Sequence, residues 1–505
     1  MKKVCIFAPS VYPLFNPSCH DAIGGAETRA FHFIQGLKSD PNFQVEVMIC
    51  HKEIEDSFTQ NGIQFHIYKN YVNSPVSGEN SFTTIDADIF IGFGVHNLHA
   101  EMVYFAKKAG KKTLLFLASN DDLHERYTPH SSHISPSHGG DSHNCAYLLD
   151  AADHILCQTA EQVRLLQQRF NRTAPVIRNP IVIPPSKPRQ ELKHNVLWIG
   201  RSDTVYKRPQ YLIKIAKALP HISFTMIMNC ADKNIFDEIM LNAPDNVKII
   251  EKVPFDLMPY LYESCDIFIN TSSTLEGFPN VFLQAAAHRK LIMSLVCDPD
   301  QIFTKHNCGV FGHDSVETLI ESIKDFYKNK ELHQDKVASF YSYITENHCF
   351  ELCTNQFKNF ISDCLKEKQT RQTELQPNSF TLFNSDPLVL LKDMSLLFIN
   401  QRLKNLSQSH KVALFPAGQH SAWLAKNIDD ELKEKIIFLD DSQSGLLLNG
   451  IPVVKTDELK EKDNFLYILS SDQASEGLRS RINELSGGKW LPLYKDKLSG
   501  ALPIK

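Results

Sequence analysis

Short apolar runs, each followed by a helical stretch and then by another apolar run, recur through most of this chain and leave few folds open. In residues 1–178 the runs are KVCIFA, VEVMIC, DADIFIGFG, TLLFLAS and HILCQT. In residues 195–345 they are NVLWIG, SFTMIMN, VKIIEKV, DIFIN and LIMSLV. Near-continuous apolar runs of this length suit parallel strands buried on both faces. Strands alternating with helices predict a doubly wound α/β fold, here twice over. The segment between the halves, NPIVIPPSKPRQELKHN, is rich in Pro and polar residues and suits a hinge. A helical region around 350–369 closes the second half. Residues 370–385, TRQTELQPNSFTLFNS, are polar and aperiodic and read as a linker.

The last 120 residues restart the alternation. Asp386-Pro387 reads as an N-cap and first-turn pair for a helix carrying Leu390, Leu391, Met394, Leu397 and Phe398. KVALFPAGQHSAWLAKNI then reads as strand, turn and helix, with Gly418 in the turn. A second strand ends in Asp440-Asp441. The pattern predicts a small Rossmann-like domain with its own core: Val412, Leu414, Ile436, Phe438, Val453, Leu466 and Ile468. Its turn, Pro416-Ala417-Gly418-Gln419-His420, has one glycine where a dinucleotide-binding turn has three, which favours a structural or docking role without a cofactor.

Two segments carry the chemistry. Residues 275–289 read LEGFPNVFLQAAAHR. Glu276 is followed by Gly277, Phe278, Pro279 and Asn280, and a helical run opens with Val281. Proline suits the first turn of a helix, whose free N–H groups and dipole make an anion site. Residues 195–209 read NVLWIGRSDTVYKRP, with Arg201 at a strand's carboxyl end and Lys207 six residues later. Ligands of open α/β sheets sit outside the carboxyl ends of the strands. The two cations, read as lacking an acidic partner nearby in sequence, suit a diphosphate, which Arg grips bidentately and Lys meets as a point charge.

In this order the motifs resemble the retaining glycosyltransferases of family 4, the group 1 transferases with a GT-B fold. Their pattern is strand–G-R-x5-K-x-P followed by E-G-F-x-N at a helix start. Gly24-Gly25-Ala26-Glu27, opening a helix with Ala30, Phe33, Ile34 and Leu37, is similar to the family's N-terminal motif. So are DHILCQT at 153–159 and VIRNP at 176–180. The resemblance covers roughly residues 1–368. It implies an acceptor-side Rossmann-like domain at 1–178 and a donor-nucleotide domain at 179–369 whose late helix returns to brace the first. Residues 386–505 are then an added Rossmann-like domain.

The resemblance also implies a reaction, the transfer of a sugar from a nucleotide diphosphate sugar to a glycan, polysaccharide or lipid-linked acceptor. It implies retention of configuration and no metal or other cofactor. Glu276 would orient donor hydroxyls, while Arg201 and Lys207 stabilise the leaving diphosphate. Gly25, Gly277, Phe278, Pro279, Asn280, Val281 and Gln284 would complete the donor site. The family carries an acid where this chain has Gln284. Its His-Asp pair after the TLLFLA strand is here Ser119-Asn120-Asp121-Asp122. Gly24, with Asn120 or His124 in place of that pair, would serve the acceptor. A sugar-nucleotide epimerase on the same fold and a non-catalytic nucleotide-sugar-binding module remain the alternatives.

Composition narrows the setting. A hydrophobic content of 43%, a charged content of 22% and a net charge of −5 are ordinary for a globular protein and argue against a nucleic-acid partner. No secretory segment and no apolar run of membrane-spanning length are expected, which points to a cytoplasmic enzyme that could touch a membrane only peripherally. The twelve cysteines form no Cys-x-x-Cys pair and read as reduced thiols, Cys349 and Cys353 included. His124, His130, His133, His138 and His143 lie in a Ser/Pro/Gly-rich stretch that suits an acceptor lid better than a metal site.

Overall fold

The computed structural model of the chain describes residues 1–16, 18–19, 23–51, 54, 56–68, 82–128, 141–185, 192–367 and 371–377. Beyond 384 it describes 403, 407, 411–415, 425, 428, 430–440, 445, 447–459, 465–469 and 490–492. The chain divides into two compact units, Met1–Asn384 and Ser385–Lys505.

The first unit holds two α/β halves. In the first half the sheet order is β3-β4-β2-β1-β5-β6-β7. Its strands are β1 (Lys2–Phe7), β2 (Phe43–Ile49), β3 (Phe58–Gln60), β4 (Ile63–Ile67), β5 (Ile89–Phe93), β6 (Lys112–Phe116) and β7 (His154–Leu156). All pairings are parallel except β3 with β4. That hairpin escaped the sequence reading, although Asn61-Gly62 at its tip, with φ of 51° and 71°, is the two-residue turn signal. In the second half the order is β10-β9-β8-β11-β12-β13, the doubly wound order. Its strands are β8 (Asn195–Arg201), β9 (Ser223–Asn229), β10 (Val247–Ile250), β11 (Ile267–Asn270), β12 (Leu291–Ser294) and β13 (Val310–Phe311).

Several apolar runs overshoot their strands. Residues just past the carboxyl ends are buried too: Leu117 after β6 and Leu295 after β12 are fully buried. Apolarity there follows from the loops folding over the sheet, not from strand pairing.

The late helix, Phe350–Lys366, does return to the first half. Its Cys353, Phe357, Ile361 and Cys364 join the first half's core, with the Phe357 ring 4.3 Å from that of Phe33. Gly36 lets the helices meet: a Cβ there would stand 2.6 Å from Cβ of Thr354. Residues 371–376 are not a free linker as expected. Arg371 pairs with Asp150 at 2.8 Å, the Lys107 ammonium donates to the Arg371 carbonyl at 2.6 Å, and Leu375 packs on the first half's second core. Polarity here reflects surface ion pairing, which composition cannot separate from solvation.

The second unit has a sheet ordered β16-β17-β15-β14-β18-β19, parallel except for β16 with β17. Its strands are β14 (Lys411–Phe415), β15 (Ile436–Leu439), β16 (Leu447–Leu448), β17 (Ile451–Val454), β18 (Phe465–Leu469) and β19 (Trp490–Pro492). Val412, Leu414, Ile436, Phe438 and Val453 are buried, as the alternation predicts. The Gly418 turn, Asp441 and the helix expected after Asp386-Pro387 lie outside the described residues. Among the described residues no helix is long and apolar enough to cross a membrane.

Candidate functional site

A cleft of about 800 Å³ lies between the two halves of the first unit. It brings together Gly24, Gly25, Arg201, Lys207, Glu276, Phe278, Pro279, Asn280, Val281 and Gln284, all named from sequence. Gly277, Asn120 and His124 do not line it.

The second half supplies the charged wall. β8 ends at Arg201, and the chain then turns through Arg208, whose φ of 51° lets the helix Pro209–Ala218 start abruptly. The Arg208 side chain holds the turn by donating to the Thr271 carbonyl at 2.8 Å. Lys207 is thereby set beside the loop after β11, and its ammonium lies 2.5 Å from the Glu276 carboxylate. Arg201 donates to Asp203 at 2.7 Å and lies 5.2 Å from the Tyr206 ring centre. This corrects the reading of two cations without an acidic partner. Asp203 was in plain view two residues on, and Glu276 arrives through the fold. A diphosphate entering here competes with two carboxylates.

The helix Asn280–Ala287 points its start at the same wall. Pro279 is its N-cap, so the helix opens at Asn280, one residue before Val281. No side chain caps it, and among the described residues the N–H groups of Asn280 and Val281 have no partner. The Asn280 side chain joins the halves instead of reaching into the cleft. It donates to the Gly25 carbonyl at 2.7 Å and accepts from Asn179 at 2.8 Å. Phe278 is buried against His348, ring centres 4.5 Å apart. The Gln284 carbonyl accepts from the Tyr262 hydroxyl at 2.8 Å, which leaves its amide NH₂ free to donate. Burial holds the Tyr262 phenol above its ordinary range, so it stays a donor. Gly277 acts at the seam between the halves rather than in the cleft. A Cβ there would meet Gln162, Gln158 and the Ala118 carbonyl at 3.0–3.2 Å, so glycine allows the halves to close.

The first half supplies the facing wall. Gly24 donates its N–H to the Glu27 carboxylate at 3.0 Å, the half of a capping box that the N3 residue supplies, at the start of the helix Gly25–Lys38. Burial raises the Glu27 carboxyl above the usual range, against the pull of Arg29 and Arg201. Asp122 accepts from the N–H groups of Ala118 and Ser119, and burial still lifts its pKa to about 6. Asn120 seals the seam: its side chain donates to the Thr274 carbonyl at 2.9 Å and its N–H to that of Leu275 at 2.9 Å. His124 accepts from the Arg126 N–H at 3.1 Å. The expected acceptor role of these two residues thus meets a different placement, because the 3₁₀ turn Asp121–Leu123 directs Asp122 to the cleft instead. His143 donates to the Gln376 carbonyl at 2.6 Å, while His130, His133 and His138 lie outside the described residues.

The sequence reading missed Arg29, Gln158, Asn179 and Tyr206. The Tyr206 hydroxyl donates to Asp121 across the seam at 2.5 Å. Asn179 bridges Gln158, Phe278 and Asn280. The only signal for Asn179 was its place in VIRNP, at the exit to the hinge. Among the described residues no three His, Cys, Asp or Glu gather as a metal-ligand group.

Residues 193–329 match the family of group 1 glycosyl transferases. They span the wall that carries Arg201, Lys207, Glu276 and the Asn280 helix start. No curated protein matches the chain. Among solved structures, sucrose-phosphate synthase from Thermosynechococcus elongatus superposes with a TM-score of 0.58 at 11% identity, over 72% of this chain and 100% of that one. Anabaena HepE in complex with UDP-glucose gives 0.55 at 14%, over 72% and 100%. A glycosyltransferase from Rickettsia africae gives 0.54 at 13%, over 73% and 99%. The two α/β halves have the GT-B fold, and the second contains a group 1 glycosyl transferase domain.

Proposed function

We propose that the chain transfers a sugar from a nucleotide diphosphate sugar to a saccharide acceptor, with retention of anomeric configuration, in the manner of family 4. The observation that carries this reading is one convergence. Lys207, Glu276, Arg201 and an uncapped helix start meet at the carboxyl ends of β8 and β11, inside the segment that matches group 1 transferases. The Anabaena structure with UDP-glucose favours a uridine nucleotide.

Breaking the bond between the anomeric carbon and the β-phosphate oxygen leaves the electron pair, and growing negative charge, on the diphosphate. Lys207, Arg201 and the N–H groups of Asn280 and Val281 are fixed before that charge develops, so stabilising it needs little reorganisation. As the diphosphate takes Lys207, Glu276 is released to hold donor-sugar hydroxyls. The acceptor hydroxyl oxygen enters on the face the diphosphate leaves, forms the new bond to the anomeric carbon and passes its proton to the departing diphosphate oxygen. Gln284 gives the ribose a neutral donor where the family has a carboxylate. No metal is needed in this scheme. A cytoplasmic enzyme building a polysaccharide or a lipid-linked saccharide fits the reading.

The test is calorimetry with UDP, GDP, ADP and dTDP, followed by release of the bound diphosphate from its sugar conjugates over an acceptor panel, with and without EDTA. Diphosphate release that needs an acceptor and survives EDTA supports the reading. Binding without release over the whole panel favours the non-catalytic module, sugar isomerisation without acceptor favours the epimerase, and loss with EDTA restored by a divalent ion refutes the metal-free scheme.

A further inference from the structure

A second cavity, of about 410 Å³, lies at the other end of the second half's sheet, where β11 and β12 begin. It shares no lining residue with the cleft. The turn into β11, the turn between the Asn280–Ala287 helix and β12, and the start of the helix Gln334–Asn347 all contribute to its walls. Its charged lining is uneven: Lys193, Arg289, Lys290 and Lys330 stand against Glu263 and Asp266.

Those acids do not pair with the cations. Asp266 accepts from the Lys193 backbone N–H at 2.9 Å and from the Tyr327 hydroxyl at 3.3 Å. Among the described residues none of the four cations forms an ion pair, and the Arg289 guanidinium lies instead 3.5 Å from the Tyr341 ring centre. Lys290 is half-buried. Burial first, and then the like charge of Lys330, lower its ammonium from the ordinary range, against the pull of Cys265, Asp266 and Glu263.

Nitrogens without partners stand in the same lining. His333 is 9% exposed, and both its ring nitrogens lack a hydrogen bond, as does the side-chain nitrogen of Gln334. His333 is the N-cap of the helix Gln334–Asn347, which no side chain caps, so a positive helix end adds to the lysines. Arg289, Lys290 and Lys330 each follow a helix's carboxyl end, where a cation is weakly favourable. That accounts for each charge by itself. It leaves unexplained why Lys290 is half-buried against the like charge of Lys330, next to polar nitrogens with nothing to bond. An anion shared by these groups resolves all three. A phosphate monoester carries nearly two charges and three strong acceptor oxygens, where a carboxylate carries one charge. The phosphate alone would leave most of the cavity empty, and Leu192, Phe326, Val337 and Tyr341 offer the remainder an apolar wall.

We propose that this cavity binds a small phosphorylated organic molecule, with its phosphate at Lys290, Lys330 and His333 and its body against Phe326, Val337 and Tyr341. The site is separate from the cleft and does not rest on the transferase reading.

The experiment titrates glucose 6-phosphate, adenosine 5′-monophosphate and inorganic phosphate by calorimetry into the full chain saturated with UDP, with glucose and adenosine as uncharged controls. One ester or the other is expected to bind at a Kd of about 1 mM or tighter, well ahead of its control, and the tighter of the two names the body as sugar or nucleoside. Lys290→Met and Lys330→Met should each weaken that ester about tenfold or more, Lys290→Arg should retain most of the binding, and UDP should move less than about threefold in all three.

The proposal is overturned if neither ester binds, if neither Met variant weakens the ester, or if UDP displaces it, which would assign it to the cleft. Inorganic phosphate binding as tightly as both esters would refute the organic body. A chain that binds no UDP would refute the transferase reading alone, and the lysine variants would still decide the cavity in the free protein. If Lys290→Met fails to fold by circular dichroism, Lys330→Met decides.

Discussion

Lys207 has to be taken from Glu276 before it can meet a diphosphate, and this competition is measurable. Their charged atoms are 2.5 Å apart, with 21% and 16% of each side chain exposed. At an effective dielectric of about 20, unit charges about 4 Å apart attract by about 4 kcal/mol. Desolvation and partial exposure reduce the net value of such a pair to about 1–2 kcal/mol. Glu276→Gln removes the competitor, so UDP should bind up to about tenfold tighter, since about 1.4 kcal/mol is one decade. Lys207→Met removes the cation and leaves a carboxylate facing the diphosphate. UDP should then bind about tenfold weaker or worse, and the protein should lose about 2 kcal/mol of stability from the unpaired half-buried charge. The double variant should fall between them. Turnover should drop about 10²-fold or more in either single variant, because each loses a group used in the transition state. Calorimetry with UDP and initial rates of UDP release from UDP-glucose give all these values. If Glu276→Gln weakens UDP as much as Lys207→Met does, the carboxylate contacts the nucleotide and the competition argument is wrong.

Asp122 should make stability fall as pH rises from about 4 to about 6. Its folded pKa of about 6 exceeds the ordinary 3.8, so the native state binds the proton more tightly, and about 3 kcal/mol is the upper bound of what ionisation removes. Asp122→Asn should flatten that slope in urea titrations, and an unchanged slope would remove Asp122 as its source. Gly36→Ala should cost about 1–3 kcal/mol by forcing its Cβ against Thr354, and Thr354→Gly in the same chain should recover most of it. Additive losses in denaturant melts would show that the two helices do not clash there. Tyr262→Phe should weaken UDP about threefold to tenfold by freeing the Gln284 amide to rotate, while Gln284→Glu should bind UDP at least as well as wild type. A large loss in Gln284→Glu would contradict a ribose-facing position. A chain ended after Asn384 should fold and bind UDP as the full chain does, whereas ending it at Thr370 should lower the melting temperature by removing the Arg371–Asp150 pair and Leu375. Equal melting temperatures for the two would return 371–384 to the status of a linker.

The order of residues along the chain was enough for the repeated alternation, ten of the thirteen strands of the two halves (β3, β4 and β13 were not read) and the motifs that line the second half's wall. These are local: an apolar run, a Pro or Gly at a turn, a charge six residues past a strand. It even held the Asn61-Gly62 turn and the Asp203 beside Arg201, both overlooked. Apart from that local Arg201–Asp203 pair, which charges are paired was settled by long-range packing. Lys207 meets Glu276 across 69 residues of chain, Tyr206 meets Asp121 across 85, and Asn280 reaches Gly25 across 255. Arg29 reads in sequence as one more polar residue on an amphipathic helix. Its burial over two phenylalanines, with Asp122 and Glu27 acting on it only from beyond ion-pair distance, exists only once two sheets and the returning helix have closed around it. Local spacing sets which residues can share a face; desolvation and pairing depend on what the rest of the chain brings to that face, and those decide where charge is available for chemistry.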